Sequence, residues 1–119
     1  MQGPQFDHEK LDVYRLSITF VGHANSIVRE FPSGNAPIAD QLMRAATSVS
    51  LNIAEGAGEY SGKEKARFYR MAKRSATECA AVLDVCKELD LAPREALTRG
   101  REQLLRIVSM LVKLTQAVA

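Results

Sequence analysis

The chain contains no tryptophan, and aromatic residues make up only 6% of it, so the large flat side chains that fill many globular cores are scarce. Ala, Leu, Val, Met and small polar residues take their place, a mixture that suits helices packed closely together. Cysteine is confined to Cys79 and Cys86, seven positions apart. On one helix their Cα atoms would stand roughly 10 Å apart, which excludes an intrachain disulfide. Both read as small apolar core residues. Histidine is confined to His8 and His23, and no His-plus-Glu pattern of the bundle di-iron kind appears, so no metal site is expected. No apolar run approaches a membrane span, and residues 1–9 lack the basic and apolar regions of a signal peptide. A cytoplasmic protein is the expectation. The net charge of +2 is too small to announce a nucleic-acid binder; only clustering of charge would.

Catalytic patterns are missing as well. Gly56-x-Gly58 is too short for a dinucleotide or phosphate loop, and no strand precedes it. The serines have no base placed beside them by sequence. The chain therefore reads as no enzyme, with no catalytic residue, no cofactor and no small-molecule substrate.

What is present is helical periodicity. The length of 119 residues is that of one domain. Residues 1–9 show no period and read as an irregular arm; residues 10–119 read as a single four-helix domain. The first helix is expected from Lys10 to Glu30, with Leu11, Tyr14, Ile18, Val21, Ala24, Ile27 and Val28 as its stripe. Phe31-Pro32-Ser33-Gly34 breaks it. The second should start after Asn35 as N-cap, with Pro37 in its first turn. Its stripe is Ile38, Leu42, Ala45, Val49 and Ile53, and it should stop at Glu55 or Gly56, where a glycine can turn left-handed. In the third, Ser61 and Glu64 form a capping box, and Phe68, Met71, Ala72, Ser75, Cys79, Val82, Cys86 and Leu89 mark the core face. The fourth starts near Pro93, with Leu97, Leu104, Val108, Leu111 and Val118. Helices of this kind on short connections pack as an all-α, up-down-up-down antiparallel four-helix bundle.

The second helix lacks the charged side that a surface helix normally shows. Between Gln41 and Ala54 the only charged residue is Arg44. Met43, Thr47, Ser50 and Ala54 make a second, mostly small face. Gln41, Arg44, Ser48, Asn52 and Glu55 line a third, with Leu51 beside them, and read as a structural polar network at a bundle or subunit boundary. The simplest account is a homo-oligomer, in which this helix is covered by its own bundle and by a second copy; the alternative is a monomer that tolerates a bland, weakly polar helix face.

Charge is clustered on the third helix. Lys63, Arg67, Arg70 and Arg74 fall on one side of it, flanked by Lys65 and Lys73. Glu78, Asp84, Glu88 and Asp90 occupy its other half, a gradient that runs against the helix dipole. Arg99, Arg106 and Lys113 repeat every seven residues on the fourth helix. Such rows are often merely solvated; otherwise they pair with acids on other helices or meet an external polyanion, phosphate backbone being the obvious one.

The segment QLMRAATSVSLNIAEGAG, residues 41–58, resembles the signature of the bacterial four helix bundle protein family, also called the 23S ribosomal-RNA intervening-sequence protein family. Arg44-Ala45-Ala46, Ser48 and Asn52-Ile53-Ala54-Glu55-Gly56 carry the match. Leu11-Asp12-Val13-Tyr14, Phe31-Pro32 and the stretch from Ser61 to Phe68 resemble the family's opening, first loop and third-helix start. Thr47 and Val49 to Leu51 depart from the pattern. The resemblance implies a four-helix bundle, homopentameric rings and an association with RNA or ribonucleoprotein. Genes of the family lie inside intervening sequences of ribosomal-RNA genes, and related bundles serve diversity-generating reverse transcriptases. The expected partners are thus other copies of the chain, in a pentamer, and RNA, DNA or a ribonucleoprotein. The alternative is a protein scaffold or adaptor acting as an assembled ring.

Overall fold

Proline and glycine punctuate the chain where the helices end. The computed structural model describes Gly3 and residues 5–119; the remainder of the arm expected over 1–9 lies outside them. Four helices follow in order: α1 (Asp12–Arg29), α2 (Ala36–Gly58), α3 (Gly62–Glu88) and α4 (Arg94–Val118), with no strand among the described residues. Across the end of the expected irregular arm and the expected helix start at Lys10, Asp7–Lys10 instead forms a 3-10 turn that packs against α1 and α2.

Each helix touches the next, and α4 returns to α1. Cross-helix contacts give the directions. Ser17 on α1 meets Ser50 on α2, and Gly56 at the end of α2 meets Phe68 and Tyr69 near the start of α3. Gly62 at the start of α3 abuts Val118 at the end of α4, and His23 on α1 bonds Ala96 at the start of α4. Successive helices are therefore antiparallel, as the short connections require.

The core centres on Phe20, Ile27, Leu42, Val49, Ile53, Cys79, Leu104, Ile107 and Leu111, all but sealed from solvent. The faces that α1 and α3 turn inward agree in part with those read in the sequence: Ala24, Ile27, Ala72, Cys79, Val82 and Cys86 are buried as expected, and the rest differ. On α1, Val13, Ser17 and Phe20 are buried and Ile18 is exposed. On α3, Tyr69, Ala76 and Leu83 are buried, while Leu89 is exposed and Phe68, Met71 and Ser75 are half-buried. On α4 the fully buried Ile107 was missed.

The helix ends also differ in detail. Asn35 occupies the N-cap of α2 without capping it; its Nδ2 donates to the Pro32 carbonyl at 2.9 Å. The α2 helix runs past Glu55 and Gly56 to Gly58, and no glycine there is left-handed: among the described residues positive φ occurs at Gly34 and Asp90. Lys65, reaching back from α3, supplies the missing donors. Its Nζ lies 2.8 Å from the Ala57 carbonyl and 3.5 Å from that of Gly56, at the negative end of the α2 dipole. Ser61 caps α3 as expected, its Oγ accepting from the Glu64 N–H at 3.1 Å, but the Glu64 carboxylate binds Arg67 instead of reaching back. Asp90 at φ 54° closes α3: Leu91 N–H bonds the Cys86 carbonyl and Asp90 N–H bonds that of Lys87.

Candidate functional site

The α3 helix presents Lys63, Arg67, Arg70, Lys73 and Arg74 to solvent along its first half. Their spacing by threes and fours puts all but Lys73 on the side opposite Ala72, Ala76 and Cys79. Arg67 is the one member that is neutralised locally: its Nε lies 2.9 Å from Glu64 Oε2, one turn away. That hydrogen bond holds the Glu64 carboxyl below its usual range and the Arg67 guanidinium above its own. The same guanidinium sits 4.4 Å from the centre of the Phe68 ring. Among the described residues, Lys63, Arg70, Lys73 and Arg74 make no ion pair. An open groove of about 500 Å³ runs between Arg67, Arg70, Met71, Lys73, Arg74 and Thr77.

Arg99, Arg106 and Lys113 are likewise exposed on α4. Because Gly62 abuts Val118, Arg106 and Lys113 lie in the same half of the bundle as the basic half of α3. Arg99 lies toward the other end, level with the acidic half of α3, and no ion pair joins the two rows. Lys65, a flanking cation in the sequence, is withdrawn from the row by its bonds to the α2 carbonyls.

On α2 the polar residues divide. Ser48 Oγ lies 2.8 Å from Ser75 Oγ of α3, and Asn52 Nδ2 donates to the Ser48 carbonyl at 2.9 Å and to its hydroxyl at 3.1 Å. This is a cross-helix network, and Ser75 is the member that sequence reading did not assign to it. Gln41, Arg44 and Glu55 stay outside it: all three are exposed, and among the described residues they form no hydrogen bond or ion pair. Leu51 stands 61% exposed in the middle of this face. Met43, Arg44, Thr47, Ser48 and Asn52 surround it in a shallow depression.

The motif over residues 44–56 acquires a physical meaning from these contacts. Ala45, Ala46 and Ile53 are buried, Ser48 ties α2 to α3 through Ser75 while Asn52 braces Ser48 from one turn on, and Gly56 lets Tyr69 lie against the helix backbone. A sequence model described as 23S rRNA-intervening sequence protein matches residues 9–113. The chain belongs to that family. No curated protein matches. Among solved structures, a protein of unknown function from the S23 ribosomal protein family of Bacteroides thetaiotaomicron VPI-5482 superposes with a TM-score of 0.80 at 18% identity, over 87% of this chain and 98% of the other. At that identity the likeness carries the four-helix fold and nothing finer. Arg44 and Glu55 are thus the two family-motif members that the isolated chain leaves exposed and unpartnered.

Cys79 and Cys86 are turned inward, and His23 is tied to backbone. Cys79 and Cys86 are free and buried; burial pushes the Cys79 thiol up to about 12, with Glu78 adding to the effect, and raises Cys86 as well. His23 Nε2 is 2.7 Å from the Ala96 carbonyl, joining α1 to α4. Among the described residues no three His, Cys, Asp or Glu side chains gather as a metal site would require. No helix of the described chain is long and apolar enough to cross a membrane.

Proposed function

We propose that this protein is a non-enzymatic, self-associating helical bundle that holds nucleic acid, free or within a ribonucleoprotein, against the basic half of α3. The observation that carries the reading is the row Lys63, Arg70, Lys73 and Arg74, exposed and without an acidic partner among the described residues. Lys63 sits at the wrong end of the α3 dipole and the others follow it through the N-terminal half, so the helix dipole gives no reason for the row. Acids on the other helices do not pair with them either. An external polyanion satisfies them, and phosphate backbone supplies charge at the required density. Self-association repeats the row in every copy, so contacts that are weak singly add through avidity. The face of α2 around Leu51, with Arg44 and Glu55 unpartnered, supports that assembly; a pentameric ring is the form implied by the family resemblance.

Fluorescence polarisation with labelled RNA and DNA tests the reading. Affinity should fall steeply between about 50 and 200 mM salt, and replacing Lys63, Arg67, Arg70 and Arg74 by Glu should abolish it. Absence of binding at low salt, with a co-purifying protein that survives nuclease treatment, would replace this reading with the scaffold or adaptor.

A further inference from the structure

Tyr60 is fully exposed, at 101% of its reference area, yet it sits on a short, well-anchored connection. Only Glu59, Tyr60 and Ser61 separate α2 from α3. The Glu59 N–H bonds the Gly56 carbonyl at 3.2 Å, Ser61 caps α3, and Lys65 bridges back to Ala57. Gly62, directly after, is wedged against the Val118 carbonyl. The ring takes no part in the core and makes no ring contact among the described residues. An aromatic held out on a fixed loop is a stacking surface without a stack.

Its neighbours specify what would stack there. Tyr60 precedes Lys63 by three residues, and the cationic row Lys63, Arg67, Arg70 and Arg74 begins at that point. One further turn along, the Arg67 guanidinium is held by Glu64 over the Phe68 ring, 4.4 Å from its centre, with its side chain still 49% exposed. Beyond it the groove of about 500 Å³ has Met71 and Thr77 among the basic side chains. From Lys63 to Thr77 the helix rises about 21 Å. An exposed ring at the head of a row of cations, with a guanidinium held over a second ring beside it, suits a strand whose bases are unstacked and whose backbone follows the cations. A duplex can use the cations but keeps its bases stacked inside, where Tyr60 and the Arg67 plane cannot reach them.

We propose that the α3 face takes single-stranded nucleic acid in preference to duplex, with a base stacked on Tyr60 and the following phosphates on Lys63, Arg70 and Arg74. This rests on the nucleic-acid reading above and narrows it to one strand type.

The lack of native tryptophan makes Tyr60→Trp a unique optical reporter, and full exposure of the site makes the variant harmless to folding. Its emission should be that of a water-exposed indole in the free protein and should be quenched by oligouridylate or oligothymidylate, and far less by a duplex of equal length. Tyr60→Ala should weaken single-strand binding by about 5- to 100-fold and leave duplex binding unchanged. Lys63→Gln and Arg70→Gln should weaken both. Equal binding of duplex and single strand, an unaltered affinity in Tyr60→Ala, or a reporter already blue-shifted without ligand would overturn the inference while leaving phosphate binding intact. Failure of every oligonucleotide to bind the wild-type protein at low salt would instead overturn the parent reading and this one with it.

Discussion

The Tyr69 ring lies close against the backbone of Gly56: a Cβ at Gly56 would stand 2.7 Å from Tyr69 Cε1 and 3.1 Å from Phe68 Cβ. Tyr69 is 2% exposed and has no room to retreat, so the close approach of α2 and α3 depends on the missing side chain. Gly56→Ala should therefore destabilise the protein by about 1–3 kcal/mol, the usual range for overpacking, although alanine is the better helix former. Gly22 and Gly58 are helical with nothing within 4 Å of a built Cβ. Gly22→Ala, in the middle of α1, should stabilise by up to about 1 kcal/mol. Denaturant midpoints of the two variants should move in opposite directions.

Ser17 and Ser50 form a buried hydroxyl pair, 2.8 Å apart, between α1 and α2. Ser17 Oγ also donates to the Tyr14 carbonyl at 2.6 Å, so Ser50 must be the donor within the pair. Removing Ser17 leaves the Ser50 hydroxyl unsatisfied in the core; removing Ser50 leaves Ser17 with its carbonyl. Ser17→Ala should cost about 1–3 kcal/mol, Ser50→Ala less, and the double variant less than the sum of the two. Strict additivity in a double-mutant cycle would show that the two hydroxyls are not coupled.

Local signals were legible in the sequence, and packing choices were not. The Ser61 cap, the break at Phe31-Pro32 and the start after Asn35 are decided within a few residues, and the helices begin and end close to where those signals stand. Which of two adjacent apolar residues turns inward is decided elsewhere. Phe68 fits the period of α3 as well as Tyr69 does, but the slot opened by Gly56 on α2 admits Tyr69. Phe20 and Val21 compete in the same way on α1, where Phe20 is sealed and Val21 only half-buried. Gly56-Ala57-Gly58 looks like a stop, yet the helix continues because Lys65 from α3 takes the terminal carbonyls. At the candidate site, spacing alone predicted the exposed row on α3. That Arg44 and Glu55 would be left without partners while Ser48 found Ser75 needed the neighbouring helix.

Three buried groups make the fold vulnerable to alkali. Burial raises Cys79 to about 12 and also raises Cys86 and Tyr69, whereas an unfolded thiol ionises near its ordinary value of 9.0. The unfolded chain thus loses protons first as pH rises, and stability present below about pH 9 falls above it. The slope is at most about 1.4 kcal/mol per pH unit per group. Urea midpoints at fixed protein concentration should be level from neutral pH to about pH 8 and drop by pH 10. Cys79→Ala should start from a lower midpoint, through the cavity it leaves, and decline less steeply. The same burial keeps both thiols unreactive toward alkylating reagents at neutral pH until the protein is unfolded.

Leu51 decides whether the outer face of α2 is an interface. In the single chain it is 61% exposed, ringed by Met43, Thr47, Ser48 and Asn52, with Arg44 and Glu55 at either end. A polar residue there costs the isolated bundle almost nothing, because the side chain contributes little to the core. In an assembly the same change places an unpaired carboxylate inside an apolar contact, a penalty of several kcal/mol. Leu51→Glu should therefore keep its helical circular dichroism while its mass by light scattering falls to that of one 13.1 kDa chain. Arg44→Ala should loosen the assembly in the same assay by leaving a buried partner unsatisfied in the neighbouring copy. A wild-type protein that already scatters as a single chain, or a Leu51→Glu variant of unchanged multimeric mass, would remove α2 as the contact, and with it the avidity on which weak phosphate contacts depend.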